Sequence, residues 1–138
     1  MANRYTIRQE YGLVVTTFSG TVTREDFVAL YRALYADPEY VPGLDEVADV
    51  MRVTMFDVHT AELQAARDLM VARYRQHPGA SCRTAILASA DVSFGIGRMY
   101  QALADETPEH VQVFRDPEQA ARWLRPDVPG LLALLAAD

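Results

Sequence analysis

The sequence predicts an α/β protein: a five-stranded mixed sheet with an N-terminal antiparallel hairpin and about four helices. Three observations predict it. Two strand-like runs near the N-terminus meet through Tyr11-Gly12, a turn signal. From Thr23 onward, helical and strand-like periods alternate. Finally, Thr84 to Leu124 holds in succession an apolar strand, a crossover helix, a second strand and a capped helix.

The elements follow in order. Tyr5 to Arg8 and Leu13 to Ser19 are rich in β-branched and aromatic residues and form the hairpin, with Gly20 closing the second strand. Thr23 is an N-cap, and Glu25 and Asp26 suit the positive end of the helix dipole. Phe27, Leu30, Tyr31 and Leu34 make one apolar stripe. That helix ends near Asp37-Pro38, because a residue before proline is pushed out of the α region. Pro42-Gly43 marks a turn, and Val47 to Met51, interrupted by Asp49, is a central strand.

After a loop through Thr54 to His59, Thr60 caps a second helix with the stripe Leu63, Ala66, Met70 and Tyr74, ended by His77-Pro78-Gly79. Thr84 to Ala88 is apolar after its first residue, as a strand covered on both faces should be. A third helix, Ser93 to Asp105, presents Ile96, Met99, Tyr100 and Leu103, and Val111 to Phe114 is the last strand. Asp116-Pro117-Glu118-Gln119 starts the fourth helix with a cap, a first-turn proline and a Gln placed to complete a capping box. Ala120, Ala121, Trp123 and Leu124 then face the core.

Residues 1–125 are expected to form one domain, followed by an apolar tail at 126–138 set off by Pro126, Pro129 and Gly130. Leu131 to Ala137 is too apolar to lie bare in water, so it should cover its own fold or make a homodimer contact. A chain of 138 residues can bury roughly two thirds of its unfolded surface and needs no metal or disulfide for stability.

Composition narrows the function classes. A net charge of −6 argues against a nucleic-acid surface, and the arginines, which are the only basic residues besides histidine, are scattered. The single Cys82 fits a reducing cytoplasm and reads as a buried, inert thiol. Met1 to Glu10 lacks the apolar core of a signal peptide, and no apolar run approaches the ~20 residues that span a bilayer. A soluble, cytoplasmic protein is expected.

Ligands of parallel sheets bind outside the carboxyl ends of the strands, which here gathers Asp49 to Arg52, Ser89 to Ser93 and the starts of the second and third helices. Gly95-Ile96-Gly97 follows a strand and opens a helix, so it admits a phosphate cradle with Arg98 beside it. Yet Tyr100 stands where a third glycine belongs and Asp91 adds negative charge, so close helix packing explains the glycines better. Asp49, inside an apolar strand, must be hydrogen-bonded or shifted in pKa; it serves as an acid or base, or more simply accepts backbone N–H groups of the next loop. Asp57 and His59 bracket the start of the second helix without a serine or cysteine nucleophile beside them. His59, His77 and His110 lack ligand spacing, so neither a metal nor a cofactor is expected. Ser93 has an alternative duty as a helix cap.

The order of elements, with Thr84-Ala85-Ile86-Leu87, Phe94-Gly95-Ile96-Gly97-Arg98-Met99-Tyr100 and Val113-Phe114-Arg115-Asp116 through Trp123-Leu124, resembles the SpoIIAA-like family of small STAS-related bacterial proteins. The resemblance covers Tyr5 through Arg125 and implies the STAS-type α/β fold, related in shape to lipid-binding CRAL-TRIO domains. In anti-sigma factor antagonists of this kind, a phosphorylatable serine follows an aspartate at the start of the second helix. The matching stretch here carries Asp57, then Val58 and His59, and its one nearby hydroxyl is Thr60. Thr60 already has a capping duty, so the resemblance alone does not carry the phospho-switch to this chain.

These readings converge on a non-enzymatic STAS-like binding module that recognises a protein partner or a small apolar or anionic ligand. Its expected surface is Asp49, Arg52, Asp57, His59, Thr60, Ser93, Gly95, Gly97 and Arg98. The alternative is a small hydrolase or isomerase using an Asp/His pair. A third reading is a structural homo-oligomer joined through the tail.

Overall fold

In the computed structural model, residues 3–136 are described; Met1 and Ala2 of the polar N-terminal stretch, and Ala137 and Asp138 of the tail, lie outside the described residues. The chain forms β1 (Asn3–Arg8), a 3-10 turn (Gln9–Tyr11), β2 (Leu13–Val22), α1 (Arg24–Ala36), β3 (Asp45–Phe56) and α2 (Thr60–Tyr74). It continues with β4 (Cys82–Leu87), α3 (Asp91–Leu103), β5 (Glu109–Phe114), α4 (Pro117–Leu124) and α5 (Leu131–Ala136). The strands lie in the sheet in sequence order, β1 antiparallel to β2 and the other neighbours parallel. The mixed sheet and its antiparallel start are as expected; the tail adds a helix to the four.

Because every parallel strand lies beside its predecessor in one direction, crossovers of one hand bring α1, α2 and α3 to one face. Side-chain alternation then divides the sheet. Val14, Phe18, Ala48, Val50 and Ile86 join the core beneath α1–α3, whereas Leu13, Val47, Ala85 and Leu87 pack with α4 on the other face. Leu131 of α5 is buried in that second cluster beside Ala120, Ala121 and Leu124, so the tail covers its own fold through this residue. Arg125 secures the same end. It donates to Tyr11 O, Gly12 O and Asp45 Oδ2, tying the end of α4 to the starts of β2 and β3.

Local differences from the sequence reading have identifiable causes. β3 starts at Asp45 and runs to Phe56, through residues expected in a loop, because β2 continues to pair with it after β4 has ended opposite Asp49. Gly20 does not close β2 but sits inside it at φ 67°, where a bulge lets the strand turn and continue. Thr23 and Asp116 cap α1 and α4 as expected, accepting from Asp26 N and Glu118 N. At α2 the cap is His59 rather than Thr60, and the Glu62 carboxylate returns to the His59 N–H at 2.8 Å. α3 starts two residues early, with Ala90 as cap and Ser93 inside its first turn.

Gly97 explains how closely α3 approaches the sheet. A Cβ there would lie 3.2 Å from both Val113 methyls and 3.3 Å from Ile86 Cγ2, whereas one at Gly95 would meet nothing within 4 Å. Opposite effects are therefore expected from two neighbouring substitutions. Gly97→Leu should lose about 1–3 kcal/mol by overpacking, and Gly95→Ala should gain about 0.5–1 kcal/mol by helix propensity. Urea denaturation of both variants reads the difference; equal effects would refute the close contact.

Candidate functional site

Four polar residues cross the helix-covered face of the sheet: Thr16 on β2, Glu46 on β3, Thr84 on β4 and Glu109 on β5. All are buried. They face α1–α3 because of strand alternation: Thr16 lies between Val14 and Phe18, Glu46 precedes Ala48 by two, Thr84 precedes Ile86 by two. The result is one arrangement used twice. Thr16 Oγ1 and Tyr31 Oη of α1 each donate to Glu46 Oε2 at 2.7 Å. Thr84 Oγ1 donates to Glu109 Oε2, and Tyr100 Oη of α3 to Glu109 Oε1 at 2.6 Å.

Both acids are held above the ordinary carboxylate range. Burial is the main cause for Glu46, the nearby Glu109 adds repulsion, and the Thr16 and Tyr31 hydroxyls offset part of it, leaving the carboxyl pushed up to about 7. Burial likewise raises Glu109, against the opposing bonds from Thr84 and Tyr100. The phenols over them are also raised well above their usual value, chiefly by burial. In all four groups the shift is toward the neutral form.

A cavity of about 40 Å³, partly open to solvent, lies between these residues and the helices. Its apolar walls include Phe18, Phe27, Val50, Phe56, Leu63 and Ile96, and its polar lining comprises Glu46, Glu109, Thr84, Tyr31, Tyr100 and Ser93. A water needs about 10–15 Å³ of such space, so the cavity accommodates a few waters or a small polar head with the first carbons of a tail. Glu46 Oε2 has two donors, whereas Glu46 Oε1 receives no hydrogen bond among the described residues. No arginine or histidine is among the described residues that line the cavity.

The residues singled out from the sequence fall into separate places. Ser93 and Gly97 line the cavity. Asp49, half-buried, accepts from Met51 N at 2.9 Å, the backbone role considered for it; Arg52 is exposed on the overhang of β3. His59 Nε2 lies 2.9 Å from Asp57 Oδ1, and Arg24 joins Asp57 at 3.7 Å, but all three side chains are about half exposed and none lines the cavity. Thr60 and Gly95 are exposed. Arg98 opens instead onto a shallow groove with His110 and Trp123. Cys82 is buried, which pushes its thiol well up and makes it a poor nucleophile. Among the described residues no helix is long and apolar enough to cross a membrane, and no group of three or more His, Cys, Asp or Glu is placed to hold a metal.

Sequence reasoning missed Glu46 and Glu109 because both strands were started too late, at Val47 and Val111, which left the acids in loops. The available signal was spacing. Glu46-Ala48-Val50 and Glu109-Val111-Val113 each place an acid on the face of a strand that is otherwise apolar.

No family model matches the chain, and no curated protein matches it. Among solved structures it is similar to an uncharacterized protein of the DUF3478 family with a SpoIIAA-like fold from Shewanella loihica PV-4. The likeness has 19% identity and a TM-score of 0.52, and covers 89% of this chain and 92% of that one. The chain therefore has a SpoIIAA-like fold, as the sequence motifs implied.

Proposed function

We propose that this protein is a binding module that holds a small, largely apolar molecule between the sheet and α1–α3, with its polar end at the buried acids. The observation that carries this reading is the pair of buried acids, Glu46 and Glu109, on an apolar, partly open cavity onto which Glu46 Oε1 opens without a hydrogen-bond donor from the described residues. In the partly open cavity water can meet that oxygen, and a bound molecule supplying a donor takes the water's place while its apolar part covers the aromatic walls. The fold alone assigns no reaction. The cavity offers no histidine or cysteine for nucleophilic chemistry, and the Asp57–His59 pair lies outside it. An anionic ligand is disfavoured here, since it would face two acids.

Butanol is a suitable first probe, with an apolar tail and one hydroxyl donor. Its titration, followed by amide and methyl NMR shifts, should perturb Ala48, Ile86, Ile96 and Tyr100 together. The filling substitution Ala48→Leu should abolish those changes. Shifts scattered over the exposed rim, or unchanged in Ala48→Leu, would overturn the reading.

A further inference from the structure

We infer that the ligand's polar end is an ammonium group, so that the cavity takes a small apolar amine whose N–H groups meet Glu46 Oε1 beside the second buried acid. This rests on the binding reading above and specifies its chemistry. Glu46 and Glu109 are only 5% and 4% exposed. Their partners within the chain are neutral hydroxyls: Thr16 and Tyr31 for one, Thr84 and Tyr100 for the other. No arginine or histidine is among the described residues that line the cavity. Two buried acids thus face one partly open cavity with no counter-charge among the described residues that line it, which favours either protons on the carboxyls or a bound cation.

An ammonium answers both needs. It brings the charge that the acids lack and the donor that Glu46 Oε1 lacks, in a charge-assisted bond roughly twice as strong as a neutral one. An alcohol supplies the donor without the charge. A carboxylate or phosphate head would add a third anion. The tail then lies against Phe18, Phe27 and Phe56, the apolar wall of the same cavity. Small size follows from the volume of about 40 Å³.

Butylamine, butanol and butyrate share a tail and differ in the head, so their ranking isolates the inference. NMR titrations near neutral pH should show butylamine binding roughly tenfold tighter than butanol, with butyrate leaving the cavity resonances unmoved. Calorimetry in two buffers should show proton release with butylamine, because Glu46, pushed up to about 7, ionises as the amine arrives. Glu46→Gln should erase the preference for the amine while keeping butanol; if that variant does not fold, the ranking on the unaltered protein decides alone. Butanol equal to or tighter than butylamine would overturn the ammonium assignment and leave the binding reading standing, as would amine shifts confined to the acidic outer surface. Silence of the cavity toward all three compounds would overturn both.

Discussion

Replacing Phe18 with alanine is expected to lower stability by about 3–5 kcal/mol, a large fraction of the roughly 5–15 kcal/mol that holds such a domain folded. Phe18 is 1% exposed and its ring centre lies 5.8 Å from Phe27, 6.1 Å from Tyr31 and 6.5 Å from Phe56. It therefore joins β2 to α1 and to the overhanging end of β3 in one aromatic cluster. Truncation removes the ring's transfer energy and leaves a void adjoining the cavity, which the surrounding strands cannot readily collapse. Urea unfolding should show a lower midpoint at an unchanged slope. Val92→Ala, at a position 68% exposed, should stay within about 0.5 kcal/mol of the parent. Comparable losses in both would contradict the placement of the core.

Stability is also expected to fall as pH rises from about 4.5 to about 7, the reverse of ordinary acid denaturation. The sign follows from Glu46. Its folded value, about 7, lies above its ordinary 4.5, so the folded chain binds more protons than the unfolded chain between those limits. The contribution is complete below 4.5 and is lost as pH passes through 7, an effect of about 3 kcal/mol for this group alone. Glu109, raised by burial, acts in the same direction. The hydroxyls facing the acids, on Thr16, Tyr31, Thr84 and Tyr100, stay neutral through this range and do not alter the sign. The exposed Glu10 and the half-buried Asp37, both lowered by hydrogen bonds, pull weakly the other way. Glu46→Gln should remove most of the slope and exceed the parent in stability above neutral pH. Thermal melts across the range would show it, and a flat profile for the parent would contradict it.

The sheet was legible because its signals are local. Turn residues at Tyr11-Gly12, caps at Thr23 and Asp116, and apolar stripes such as Phe27, Leu30, Tyr31 and Leu34 each act within a few residues. Strand ends were not, since they depend on neighbours: β3 runs to Phe56 only because β2 accompanies it. The cavity was illegible for the same reason. Glu46 acquires its environment from Thr16, thirty residues earlier, and from Tyr31, which the sequence shows only as one apolar position of a helix stripe. An acid beside an apolar run reads as a strand's solvated beginning until the sheet reveals what lies above it. The exposed Asp57–His59 pair shows the converse: closeness along the chain brings two polar groups within 2.9 Å, yet neither lines the cavity.

Site-resolved ¹³C NMR titration of the glutamate side-chain carboxyls bears most directly on whether the two acids are buried without a compensating cation. Glu46 is expected to titrate near pH 7 and Glu109 above the usual glutamate value. Midpoints for Glu46 and Glu109 at the ordinary value of 4.5 would mean that bulk water or a positive charge compensates them, and would contradict the account.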